Sequence, residues 1–175
     1  LDDAIKKSVK FLKEWAFSGS GWGYSGSQKA PGGGTSATMT GAGCLALQLL
    51  GGSKSSQVKT AIGWLEAGAG TPTWPKEDKG AGVYGWYYVT QAKFQEGGKT
   101  WDSWNRQLIA SELPRAQKTD GHWEGGDHDP GGHVYTTTLC ALMLQVYYRY
   151  LPTYKKVEEA ATETAASDDM AVKVL

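Results

Sequence analysis

Net charge is the first thing this chain lacks: 18 basic and 18 acidic residues among 175 cancel, and no block of like charge runs along it. Neither a nucleic-acid duplex nor an anionic bilayer is therefore an electrostatically favoured partner. Long apolar runs are missing as well. None approaches the roughly 20 residues that a membrane-crossing helix needs, so no transmembrane segment is expected. Cysteine is scarce: Cys44 and Cys140 are too few for a disulfide scaffold and are not in metal-ligand spacing with each other, which leaves them as small buried apolar residues. No initiator methionine opens the chain. Leu1 stands first, without a basic stretch and apolar core behind it, which points to a processed chain or a piece of a longer one and leaves the compartment unread.

What is abundant is glycine, at 24 residues, together with 8 Trp and 9 Tyr against three Phe. Low-complexity disorder would account for the glycine, but such segments are poor in large rings because they cannot bury enough surface to offset chain entropy. Glycine clusters such as Gly32-Gly33-Gly34 and Gly131-Gly132 lie between segments of helical character, which predicts ordered loops packed by large rings.

Those segments recur with a period of about 50 residues, within the range that signals repeat architectures. In the first unit Ala4, Ile5, Val9, Phe11, Leu12 and Trp15 have the spacing of an amphipathic helix. A Gly/Trp loop around Trp22 follows, then a helix from about Ala37 that stops at Gly51-Gly52. The second unit repeats the order with Val58, Ala61, Ile62 and Leu65, a loop from Gly68 to Trp74, and a helix through Tyr84-Gly-Trp-Tyr-Tyr88 that ends near Gly97-Gly98. The third has Trp101, Trp104, Leu108 and Ile109, the loop from Asp120 to Gly126, and a helix from Val134 to about Leu151. Period-two alternation is absent. The expected fold is all-α: three helical hairpins, about six main helices, in one domain over 1–154 with repeats of about 1–52, 53–99 and 100–154. Residues 155–175 form a polar tail. The first helix of each unit is charged on one face and the second is apolar nearly all round, so the second helices should form the inner layer.

In the third unit Gln117, Gly121 and Trp123 form Gln-x-x-x-Gly-x-Trp, which resembles the repeated Gln-Trp motif of squalene-hopene and oxidosqualene cyclases. The glycine-rich loop and helix that follow are similar to those of protein prenyltransferase β subunits. The resemblance, over about residues 1 to 154, implies the α/α-toroid superfamily, in which inner helices line an apolar, aromatic-walled cavity. Three hairpins make about half of that ring, hence a partial or open one. In the motif, the Gln amide can hold a helix end and a loop carbonyl, Gly permits a turn with positive φ, and Trp stacks on the neighbouring repeat. Ala16 and Gly68 stand where Gln would fall in the first two units, so looser joints are expected there.

The family's catalytic motifs are missing. No Asp-x-Asp-Asp or Asp-Cys-Thr acid occurs, and Asp2-Asp3 reads as carboxylates at a helix start. The family's zinc-binding His stretch is matched by Val134-Tyr-Thr-Thr-Thr138, with Thr136 in the place of His. Cys44 and Gln48 are four apart on a helix, unlike the three-residue spacing of the thioester domains that share the fold.

A ligand-type cluster does gather in the third loop, where His122, His128 and His133 fall among Asp120, Glu124, Asp127 and Asp129. Asp127, His128, Asp129 and His133 are the candidate ligands of a divalent metal such as zinc or manganese, against the plainer reading of a solvated loop with turn hydrogen bonds. No organic cofactor is indicated. Tyr84, Trp86, Tyr87, Tyr135 and Cys140 are the candidate lining of an apolar cavity, with core packing between repeats as the competing use.

The functional expectation is a non-catalytic or degenerate domain of this superfamily. It would pack on the rest of a longer parent protein or on a second copy of the chain, with room for an isoprenoid-like lipid. The alternative is the C-terminal half of a terpenoid cyclase whose acid lies outside this chain.

Overall fold

Asp2 and Asp3 in the first turn of α1 (Asp2–Lys10), with Lys7 and Lys10 in its last, complement the helix dipole. The computed structural model describes residues 1–25, 34–69, 72–74, 82–125 and 132–147. Their regular secondary structure is entirely helical, with an isolated bridge between Phe17 and Trp22 and no strand. The fold class is therefore all-α. The two carboxylates act on the dipole from within the helix: the N-cap is Leu1 and no side chain caps it.

A wider π turn, Phe11–Trp15, prolongs α1. Next, α2 (Ala37–Leu47) starts where the spacing predicts, after Ser36, whose Oγ accepts from Met39 N at 3.2 Å. Its continuation ends at Gly51, where φ turns positive. The third helix, α3 (Ser56–Trp64), is capped likewise by Ser55, whose Oγ accepts from Val58 N at 3.3 Å. Then follow α4 (Gly82–Glu96) and α5 (Gly98–Trp104), which the turns Asn105–Glu112 join to the short α6 (Leu113–Ala116). The last is α7 (Gly132–Leu144), ending in a 3-10 turn, Gln145–Tyr147. The expected end of the last helix near Leu151 and the polar tail at 155–175 lie outside the described residues. Among the described residues no helix is long and apolar enough to cross a membrane.

The second helices pack on one another in chain order, α2 on α4 and α4 on α7, so α4 is central and the other two flank it. Burial follows the same division. Thr38, Thr40, Gly41, Gly43, Cys44, Leu45 and Leu47 are buried on α2, whereas α1 buries only Val9. One core lies between the first and second pairs and contains Val9, Trp22, Cys44, Leu47, Val58, Ile62 and Ala92. A second lies between the second and third pairs, around Leu65, Trp86, Val89, Trp104, Leu108, Trp123 and Cys140. Each pair thus buries its apolar face against the next.

One expectation on α1 is corrected: Trp15 does not belong to the buried stripe but is 71% exposed, and Phe11 is exposed with it. Val9 and Ala16 take the inward positions, which leaves Phe11 and Trp15, one helical turn apart, on the adjacent stripe.

Glycine sets the distance between α2 and its surroundings. A Cβ on Gly41 would lie 2.9 Å from the backbone N of Val89, and one on Gly43 would lie 2.5 Å from Trp22 Cδ2. Both are closer than real side-chain carbons come, so these positions admit only hydrogen.

Gly43→Ala is accordingly expected to lower stability by about 1–3 kcal/mol through overpacking against Trp22, although alanine gains roughly 1 kcal/mol in helix propensity. Gly63→Ala, on α3 with nothing within 4 Å of the new carbon, should instead raise it by about 0.5–1 kcal/mol. Urea denaturation of both variants checks the opposite signs.

Candidate functional site

Two tryptophans are held by the same pair of hydrogen bonds. Trp22 Nε1 donates to the carbonyl of Leu12, ten residues earlier, at 3.0 Å, and Trp22 N donates to Thr40 Oγ1 on α2 at 3.1 Å. Trp123 Nε1 donates to Leu113 O, again ten residues earlier, at 2.8 Å, and Trp123 N donates to Thr137 Oγ1 on α7 at 3.1 Å. Each ring thereby ties the end of a first helix to the start of the second helix of its pair, and both rings are buried.

Gln117 uses its amide as the motif requires, Nε2 donating to Gly121 O at 2.8 Å, and Gly121 has φ +93°. The first unit, which lacks this Gln, closes its loop otherwise: Ser18 Oγ and Ser18 N both donate to Gly21 O, at 3.0 and 2.8 Å. That joint is hydrogen-bonded without a Gln. In the middle unit the backbone N of Trp74 donates to Glu112 Oε2 of the third pair at 3.1 Å, and Arg115 Nη2 bonds the same carboxylate at 2.7 Å. Arg115 holds the Glu112 carboxyl below the usual range, aided by the Trp74 N–H.

Of the residues expected to line a cavity, Tyr84, Tyr87 and Tyr135 converge on Tyr88, a further member of the same aromatic run. Tyr84 and Tyr88, one turn apart on α4, bring their hydroxyls to 3.2 Å with rings at 5.1 Å, edge to face. Tyr87 stands 5.3 Å from Tyr88. Tyr135, from α7, is close enough to act on its ionisation. The hydrogen bond to Tyr84, then burial, then the neighbouring phenols push the Tyr88 pKa up to about 12. The face is aromatic, partly exposed, and spread over α4 and α7. The other two, Trp86 and Cys140, are buried core residues between the second and third pairs, Trp86 against Trp74 at 5.7 Å.

Of the four candidate metal ligands, Asp127, His128 and Asp129 lie outside the described residues. His133 has its ring 4.8 Å from that of His122. Asp120 Oδ1 sits 2.6 Å from His122 Nδ1, which holds the Asp120 carboxyl low, and Glu124 pairs with Lys118 at 2.8 Å. Among the described residues no group of three His, Cys, Asp or Glu could hold a metal ion.

Both cysteines are buried and neither is in a disulfide. Burial, with a smaller contribution from Glu96, pushes the Cys44 thiol from 9.0 up to about 12. Its neutral form is thus favoured in the fold: the stabilisation is complete below 9.0 and is lost as pH rises towards 12. Gln48, expected beside it, donates Nε2 to Ala92 O at 3.1 Å and so links α2 to α4.

No family model, no curated protein and no solved structure matches this chain.

Trp22→Phe and Trp123→Phe should each cost about 1–3 kcal/mol by removing the indole hydrogen bond and leaving a gap beside the smaller ring, while Trp15→Phe stays within about 0.5 kcal/mol of wild type; chemical denaturation of the three variants decides. Thiol reagents at mildly alkaline pH should leave Cys44 unmodified until the chain unfolds. Modification of native protein, located by peptide mass, would contradict its placement.

Proposed function

We propose that the chain is a non-catalytic domain of the α/α-toroid type. It is an open arc of three helical pairs that packs on another part of a longer parent protein or on a second copy of itself, and an apolar, isoprenoid-like ligand is taken up on the tyrosine face. The carrying observation is the exposure of large apolar side chains on both flanking pairs: Trp15 with Phe11 and Tyr24 on the first, and Val134, 79% exposed, on the third. Exposed rings that a lone globule would bury are what an unpaired repeat end presents.

The toroid reading is supported by the chain-order packing of the second helices and by the matching Trp22 and Trp123 hydrogen bonds. The non-catalytic reading is supported at Thr136. Where the resembled prenyltransferases carry a zinc-binding His, this residue is buried and donates its hydroxyl to Gly132 O at 3.2 Å. The tyrosine face offers ring surfaces with hydroxyl edges and no charge, which suits an apolar body with one polar end.

Sedimentation equilibrium should show concentration-dependent self-association that Phe11→Ser/Trp15→Ser weakens by at least about tenfold in Kd. Farnesol should bind saturably and lose about tenfold in affinity in Tyr84→Ala/Tyr135→Ala. A monomer at every concentration that also ignores farnesol would defeat the reading.

A further inference from the structure

Lys93 continues the stripe of α4 that already holds Trp86 and Val89, and it is only 6% exposed. Its ammonium lies over the Trp104 ring, 4.5 Å from the centroid. Trp104 is in turn fixed by Nε1 donating to Thr90 Oγ1 at 2.9 Å. Among the described residues Lys93 makes no ion pair. A buried ammonium without a carboxylate is costly, and a ring face offsets only part of that cost.

The same lysine lines a pocket of about 150 Å³ between the second and third pairs. Leu65, Pro72 and the Trp104 ring supply apolar wall, and Thr100, Ser103 and Gln107 supply hydroxyls and an amide. Glu66 is the one carboxylate among the lining residues; its Oε1 accepts from Thr100 Oγ1 at 2.7 Å. Ser103 Oγ accepts from Gln107 Nε2 at 3.0 Å, which leaves its own proton free to be given away. A cavity of this volume takes a body about the size of benzene.

We propose that this pocket binds a small organic monocarboxylate, its carboxylate on Lys93 Nζ and the Ser103 hydroxyl and its short apolar or ring body against Leu65, Pro72 and Trp104. Lys93 supplies the cation that attracts the carboxylate, and the Glu66 carboxylate, engaged by Thr100 Oγ1, disfavours any anion carrying more than one charge. Burial draws the lysine pKa below its ordinary value, and the nearby Glu66 carboxylate opposes that shift without reversing it. This site is separate from the tyrosine face and independent of the packing proposal.

Benzoate is the probe, with benzyl alcohol and inorganic phosphate as comparisons, read by calorimetry and by the Trp104 indole N–H resonance. Benzoate should bind saturably at millimolar concentration, at least about tenfold more tightly than either comparison, and should move the Trp104 resonance. Lys93→Met should lose at least about tenfold in benzoate affinity. Ser103→Phe, which fills the pocket from a half-buried position and leaves the lysine in place, should abolish binding while circular dichroism stays native. No saturable benzoate binding, equal binding of benzyl alcohol or phosphate, or undiminished affinity in the folded Ser103→Phe protein would overturn the assignment.

Discussion

The approach of α2 to α4 is limited by a single hydrogen atom at Gly41, since a methyl there would meet the Val89 backbone. With the two helices at that distance, Gln48 reaches across from α2 and bonds Ala92 O on α4. Ala92 then closes the first core, with Val58 and Ile62 of α3 and Val9 of α1. The opposite side of α4 is left to carry Trp86 and Val89 into the second core, on which α7 docks. A wider spacing would open both cores together, because close-packed interiors do not stretch to fill a gap.

The paired richness in glycine and tryptophan has its explanation in the connecting loops. Loop backbone needs its hydrogen bonds made wherever it is covered, and an indole meets this by filling space with its ring and capping a carbonyl with its N–H. Trp22 and Trp123 do this with partners in equivalent positions. The neighbouring turn is closed by whichever donor is at hand, an amide at Gln117 and a hydroxyl at Ser18. The ring is the constant element of these two joints and the turn donor is the variable one. In the middle joint Trp74 N donates to Glu112 of the third unit, which ties the second unit to the third.

Helix positions are legible from spacing and glycine stops: α2 and α4 begin and end close to where Ala37, Gly51, Tyr84 and Gly97 imply. The tyrosine convergence is legible in part: Tyr84, Tyr87, Tyr88 and Tyr135 read as one aromatic set, but i, i+4 spacing does not say which ring becomes the hub. Trp15 was misjudged for a physical reason. Spacing identifies a stripe, and on α1 two adjacent stripes both carry apolar residues, of which only the one containing Val9 meets α2. Lys93 was missed because a lysine reads as solvent-facing by default. The available signal was its register, four residues after Val89 and seven after Trp86, which continues a buried stripe.

That register separates two kinds of buried polar group along α4. Thr90 accepts from Trp104 Nε1, as Thr40 accepts from Trp22 N on the helix beside it, and these hydroxyls complete joints between elements. Gln91 is different: its Nε2 bonds Tyr87 O, but among the described residues its Oε1 is buried without a partner, as are Trp86 Nε1 five residues before it and Gln48 Oε1 on the continuation of α2. Lys93 adds an ammonium held by a ring alone. Unmet polar groups cost stability wherever water is excluded, and an apolar residue at any of these places would remove the cost. Two of these three unmet atoms and the ammonium lie on the one helix that both α2 and α7 grip, so those neighbours supply the packing that lets α4 carry them.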